Sequence, residues 1–141
     1  MKLILNRDRM DSLEAEIAKM PQVDLGTTHE LSGGIYARTI YIPAGVALTG
    51  LVHKKDHINI VMGDITVSTD EGMKRLTGYH VLQTKAGMKR VGFAHENTAW
   101  TTVCQTALTE IEAIEDELVE EADKLQTRTL KLRSASCLLE Q

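Results

Sequence analysis

The residues with the greatest capacity for chemistry are three of the five histidines and the polar residues around them. At the two-residue period of a β-strand, His53, Lys55, His57 and Asn59 project from one side, and His95 and Asn97 do the same further along the chain. Neutral imidazole suits zinc, iron, nickel or copper. His53, His57 and His95 therefore predict a site for a divalent transition metal, of the catalytic type that keeps a coordination position open. The same region also reads without metal. Lys55 and Arg90 are cationic donors suited to a carboxylate or phosphate, Asn59 and Asn97 add polar contacts, and Trp100 offers a face for stacking. His29 and His80 have no partner by spacing and are expected at the surface or in the core.

These residues sit within an internal repeat. Residues 44–53, AGVALTGLVH, and residues 86–95, AGMKRVGFAH, share the pattern A-G-x4-G-x2-H. Two repeats are too few for a solenoid, but two equivalent β-halves closing on each other make a jelly roll with a common interior. His53 and His95 would then approach one another from opposite halves. Trp100 has the opposite strand parity to His95, so both reach one cavity only across a bulge.

The elements that must carry these positions are mostly strands. Ile35 to Ile42 is a β-branched and aromatic run containing a single arginine, bounded by Gly33-Gly34 and by Pro43-Ala44-Gly45. Short strands are expected at 58–62 and 65–68 on either side of Gly63-Asp64, then, after a turn at Asp70-Glu71-Gly72, at 73–76, 79–83, 90–94 and 99–103. Asp11-Ser12-Leu13-Glu14 predicts the start of a short helix over 11–20 that buries Leu13, Ile17 and Met20 and stops at Pro21. Thr109-Glu110-Ile111-Glu112 predicts a longer amphipathic helix whose stripe is Ile111, Ile114, Leu118, Ala122 and Leu125. Residues 127–141 read as a strand or docking tail. The chain thus divides into an N-terminal helical segment (1–25), a β-barrel (26–105) and a C-terminal helix and tail (106–141).

Composition limits the function classes. The chain has 141 residues, is 43% hydrophobic and 26% charged, and carries a formal net charge of −4. That is the range of one globular domain, too short for separate cofactor and substrate domains. The acids are concentrated between Glu110 and Asp123 and the bases between Lys124 and Arg133. With no broad basic face, nucleic acid is not an expected partner. The longest apolar runs fall short of a membrane span, Arg7-Asp8-Arg9 interrupts any signal-like start, and a cytoplasmic location is expected. Cys104 and Cys137 have neither zinc-ligand spacing nor the number needed for a disulfide framework.

The order Gly45, His53, His57, Gly63, followed by Ala86-Gly87 and a final strand, resembles the two motifs of the cupin superfamily of small β-barrels. The strings HKKDHINIV, GMKRVGFAHENTAWTTV and IPAG are more closely similar to small cupin-like proteins encoded by tailed bacteriophages. The resemblance covers about residues 27–104. It implies a jelly-roll fold and frequent homo-oligomers, but no single activity, because cupins include oxygenases, isomerases, storage proteins and ligand binders. The chain departs from the pattern at the site. The cupin first motif resembles H-x-H followed by a glutamate, whereas here the spacing is H-x3-H, with His57 near the position of the glutamate. In the second motif the cupin histidine position falls on Arg90, while the internal repeat selects His95.

Three functions are expected. The first is a phage-encoded cupin-like protein that binds a small anionic metabolite or nucleotide in the host cell, to sequester or sense it. The second is a metal-dependent enzyme built on His53, His57 and His95. The third is a structural or protein–protein module acting through the acidic C-terminal helix. No nucleophile triad or phosphate loop supports hydrolase or kinase chemistry.

Overall fold

Alternation of apolar and polar residues, interrupted by glycines at the corners, folds the middle of the chain into one curled antiparallel sheet. The computed structural model describes residues 5–129. Helix α1 (Arg7–Ala18) precedes strands β1 (Thr28–Ser32), β2 (Ile35–Ile42), β3 (Ala47–Thr49), β4 (His57–Thr69), β5 (Gly72–Thr84), β6 (Val91–Ala94) and β7 (Thr98–Gln105). Helix α2 (Ile111–Leu118) and a 3₁₀ turn (Ala122–Lys124) come after β7. The strand order is β1-β2-β7-β4-β6-β3, with β5 also paired to β4. The fold is mainly β and cupin-like, as expected from the sequence, with a helix at each end, the C-terminal one shorter than expected.

Strand β4 turns the sheet into a barrel. One edge pairs with β5 along its whole length. The other edge pairs with β7 at residues 58–62 and with β6 at residues 65–67. The change of partner falls at Gly63, which has φ +149° and faces Gly78 on β5. A Cβ at Gly63 would lie 2.5 Å from Thr98 Oγ1 and 2.7 Å from Thr98 Cα, so the corner accepts only glycine. The pieces expected at 58–62 and 65–68 are thus one continuous strand bent at Gly63, those expected at 73–76 and 79–83 are likewise one strand, β5, and the turn expected at Asp70-Glu71-Gly72 joins the two.

Two apolar clusters fill the interior. Ile42, Val61, Ile65, Val67, Leu76 and Ala94 pack at one end, with half-buried Trp100 against them. Tyr36, Cys104, Ile114, Leu118, Val119 and Leu125 pack at the other, where α2 closes the barrel. Ile114 is fully buried, and burying such a side chain contributes about 1.5–3 kcal/mol.

Both helices differ from their sequence-based bounds. Helix α1 starts upstream of Asp11, because Asn6 Oδ1 accepts from the Arg9 amide at 2.9 Å and caps it. Its expected apolar face is largely exposed, Leu13 at 36% and Met20 at 58%. The helix docks instead through Lys89, whose buried Nζ lies 2.9 Å from Asp11 and 2.7 Å from Glu14. The C-terminal stripe does not form one helix. At Val119 the backbone becomes extended and bridges His53, the Lys54 amide donates to the Leu118 carbonyl at 2.7 Å, and the Glu120 amide donates to the Val52 carbonyl at 2.8 Å. Ile114, Leu118, Ala122 and Leu125 are nonetheless buried, while Ile111 is exposed. The tail expected at 127–141 lies, from residue 130 onward, outside the described residues.

The repeat has a structural meaning different from the one expected. Gly45 and Gly87 adopt the same left-handed conformation, φ +85° and +84°. The two segments then run antiparallel against each other: Leu48 faces Gly92, the Gly50 amide donates to the Arg90 carbonyl, and the Gly87 amide donates to the His53 carbonyl. Antiparallel pairing sends equivalent positions to opposite ends. His53 and His95, each last in its repeat, are therefore separated by the symmetry that was expected to unite them.

Candidate functional site

A cavity of about 120 Å³ occupies the barrel interior between the two apolar clusters. Its wall is built in rungs set by strand register. Arg38, Thr102 and Asn59 stand side by side on β2, β7 and β4, and the neighbouring rung on the same strands is Ile40, Trp100 and Val61. All six side chains have the parity that turns inward. A polar belt thus lies directly against an apolar floor.

One run of hydrogen bonds crosses the belt. Arg90 Nη2 donates to Thr84 Oγ1 at 2.9 Å, Thr84 Oγ1 donates to Asn59 Oδ1 at 2.7 Å, and Asn59 Nδ2 donates to Thr102 Oγ1 at 3.0 Å. Every bond points the same way, so the Thr102 hydroxyl hydrogen remains to be donated. Arg90 Nη1 also donates to the Ser68 carbonyl at 2.9 Å, fixing the guanidinium.

Three polar atoms of the cavity wall are buried without a partner among the described residues: Arg38 Nε, Arg90 Nε and Glu115 Oε2. Glu115 pairs with Arg128 at 3.3 Å through its other oxygen, and Arg38 has no ion pair among the described residues. Leaving such atoms without a hydrogen bond costs about 1–3 kcal/mol each, so three on one cavity need a reason. Burial lowers the pKa of both guanidinium groups, yet an arginine stays charged at any physiological pH.

The two histidines of the cavity are neutral. Burial, reinforced by the neighbouring His57, pushes the His53 pKa down to about 4. Burial also lowers His57, and the charge of Arg90 adds to it. Their ring centroids lie 4.2 Å apart. His57 Nδ1 lies 3.1 Å from the Lys55 carbonyl, which can only accept, so the hydrogen is on Nδ1. Cys104 lines the same cavity with its thiol pushed up to about 11 by burial, which makes it inert at neutral pH.

The structure brings together His53, His57, Asn59, Arg90 and Trp100 of the residues selected from sequence. It places the other three elsewhere. Lys55 lies at the surface in an ion pair with Glu117, because residues 53–56 are not a regular strand and the period breaks there. Asn97 Oδ1 accepts from the Ala44 amide at 3.0 Å and holds the turn between β2 and β3. His95 bonds Thr66 Oγ1 at 2.7 Å and packs edge-on against exposed Phe93, away from the cavity. Of the two competing alignments, Arg90 faces the interior and His95 does not. Sequence reasoning missed Arg38, Glu115, Thr84 and Thr102. Arg38 had a signal, as the only charge in the apolar run 35–42 and in phase with Tyr36, Ile40 and Ile42. Tyr36 Oη in turn meets His29 Nδ1 at 2.6 Å, a partner that spacing did not reveal.

A metal centre of the expected kind does not fit these residues. Among the described residues no three of His, Cys, Asp or Glu come close enough to share an ion. His53 and His57 lack His95, and the cationic Arg38 and Arg90 occupy the wall around them.

The class defined by fold and site is a cupin-like β-barrel enclosing a cavity of cationic donors and neutral imidazoles. Solved structures similar to this chain include a protein from Neisseria meningitidis, 9% identical, with a TM-score of 0.50 over 67% of this chain and 96% of that one. They also include a cupin-2 domain containing protein from Shewanella frigidimarina, 10% identical, with a TM-score of 0.47 over 72% of this chain and 94% of that one. A third is a cupin superfamily protein from Desulfitobacterium hafniense, 10% identical, with a TM-score of 0.46 over 64% and 86%. No protein-family model and no curated protein matches the chain. No helix among the described residues is long and apolar enough to cross a membrane.

Proposed function

We propose that the protein binds a small anionic molecule inside the barrel, to sequester or sense it, and that Arg38 and Arg90 hold the anion. The observation that carries this reading is the pair of buried guanidinium Nε atoms, both without partners and both on one cavity wall. A buried guanidinium hydrogen without an acceptor lowers stability, and a bound carboxylate or phosphate supplies the acceptor. Thermal melting of the full chain against a series of small carboxylates and phosphates tests it. At least one anion should raise Tm in a concentration-dependent way, and Arg38→Met should abolish the rise. A melting temperature indifferent to all of them would sink the proposal.

The similarity of HKKDHINIV and GMKRVGFAHENTAWTTV to phage-encoded cupin-like proteins supports an infected bacterial cell as the place of action. A homo-oligomer belongs to the same reading. Exposed Met62 and Tyr79 face each other in register on β4 and β5, with exposed Ile58 and Val81 beside them. An uncharged apolar patch of this kind is self-complementary and suits a two-fold contact with a second copy. Sedimentation of the full chain should show a dimer, and Tyr79→Glu a monomer.

A further inference from the structure

The cavity wall is specific about the groups a ligand must carry, an inference that rests on the anion-binding reading above. Among the described residues, three side-chain polar atoms are buried without a partner, and all three belong to residues lining this cavity. Two are donors on cations, Arg38 Nε and Arg90 Nε. The third, Glu115 Oε2, is an acceptor on a carboxylate. A plain anion satisfies the first two and leaves the third without a hydrogen.

Their positions sort the three atoms into two ends. Arg38 stands beside Thr102 in register, and from Thr102 the hydrogen bonds run through Asn59 and Thr84 to Arg90. The two guanidinium groups thus belong to opposite ends of the polar belt, each in want of its own acceptor. Glu115 belongs to the Arg38 end. Its neighbour Ile114 packs with Tyr36, two residues from Arg38 on the same face of β2. The charge of Glu115 acts on Arg38, whereas Arg90 feels that of Asp70. Arg38 and Glu115 nonetheless make no ion pair with each other: Glu115 Oε1 meets Arg128, and Oε2 meets nothing among the described residues.

A ligand at the Arg38 end therefore accepts from a guanidinium and donates to a carboxylate from neighbouring atoms. The carboxylate and ammonium groups on the α-carbon of an amino acid have that arrangement. A hydroxyl also donates, but an ammonium group facing a carboxylate makes a charge-assisted bond, roughly twice as strong. The Arg90 end calls for a second anionic group. Between the ends, Ile40 and Trp100 lie beneath the belt and take a short hydrocarbon link. The volume of about 120 Å³ is roughly ten water-sized positions, too little for a nucleotide.

We infer that the barrel binds an acidic α-amino acid, aspartate or glutamate, with its α-carboxylate at Arg38, its ammonium group at Glu115 and its side-chain carboxylate at Arg90. Titration calorimetry of the full chain at pH 7.5 tests each assignment separately. The probes are L-aspartate and L-glutamate; succinate and glutarate, which lack only the amine; L-malate and L-2-hydroxyglutarate, which replace it by a hydroxyl; L-alanine, which lacks the second carboxylate; and inorganic phosphate.

The tighter of the two acidic amino acids should bind at least about tenfold more tightly than its amine-free analogue, its hydroxy analogue or alanine. Glu115→Gln should remove the advantage of the amine, while Arg128→Met, which keeps the carboxylate, retains it. Arg90→Met should lower the acidic amino acid to the affinity of alanine. The wild-type series decides the assignments even if a variant does not fold. Equal affinity for the amino acid and its amine-free or hydroxy analogue would overturn the ammonium assignment and leave the anion site standing. Alanine as tight as the acidic amino acids would overturn the second carboxylate. Phosphate tighter than every amino acid would overturn this inference alone, as would silence from all these probes beside a rise in Tm with some other anion. No response to any anion in either experiment would overturn this inference and the proposed function together.

Discussion

The imidazole rings of His53 and His57 lie 4.2 Å apart inside the barrel, and burial keeps both from taking a proton at neutral pH. Unfolding releases them to water and to their ordinary pKa. Between about pH 6.5 and the folded-state value of about 4 for His53, the unfolded chain holds a proton there that the folded chain lacks. Stability is therefore fully present above pH 6.5 and falls with acidification across that window, by about 3 kcal/mol for His53 alone. Urea denaturation at a series of pH values should show this fall, with a shallower one in His53→Leu. Parallel profiles for the two proteins would count against a neutral His53.

Arg38 should be a stability liability in the ligand-free protein. Its Nε is buried without a partner and it has no ion pair among the described residues. Arg38→Met replaces the cation by an apolar chain of similar length and should stabilise the free protein by about 1–3 kcal/mol. Chemical denaturation without added anions measures it, and a loss of stability would mean that the guanidinium is satisfied within the protein.

Gly63 and Gly78 face each other across β4 and β5, yet substitution should separate them sharply. A methyl group at Gly63 meets Thr98 within 2.7 Å, whereas nothing lies within 4 Å of one at Gly78. Gly78→Ala should cost about 1–2 kcal/mol, the strain of φ +82° alone. Gly63→Ala should cost about 1–3 kcal/mol more, because the corner is already packed. Equal melting temperatures for the two variants would show that β7 can retreat from the corner.

Helix α1 is held by charge more than by apolar contact. Lys89→Ala removes the buried ammonium group between Asp11 and Glu14. Trypsin cleavage at Arg7, Arg9 and Lys19 should accelerate at least several-fold, while the barrel loses only about 1 kcal/mol. An unchanged cleavage rate would mean that Met10 and the contact between Glu14 and Thr49 suffice to hold the helix.

Ile114 anchors the closure of the barrel end. It has no exposed surface and packs with Tyr36, Cys104 and Leu118. Ile114→Ala should destabilise by about 2–5 kcal/mol, and equilibrium unfolding gives the value directly. A change under 1 kcal/mol would mean that the C-terminal segment contributes little to the barrel.

The alternation and glycine spacing of residues 26–105 suffice for the mainly β architecture, because they dictate which face of each strand is buried. Ile35–Ile42 is legible as a strand to the residue, since its apolar character and its flanking glycine and proline agree. Part of the cavity wall was also legible: His53, His57, Asn59, Arg90 and Trp100 all carry chemistry that stands out in a strand. Which of them meet was settled only by the folded chain. Two equal repeats are compatible with parallel or antiparallel pairing, and only the antiparallel register between residues 45–53 and 87–95 sends His95 to the far end. Lys55 left the cavity because the chain bends at 53–56, where backbone bonds to Leu118 and Glu120 outweigh strand periodicity. Arg38 joined it through β7, whose Thr102 sets its rung beside Asn59 across residues distant in sequence. Local pattern fixes the face on which a side chain lies, but neighbours on that face are chosen by long-range register, which no window of sequence contains.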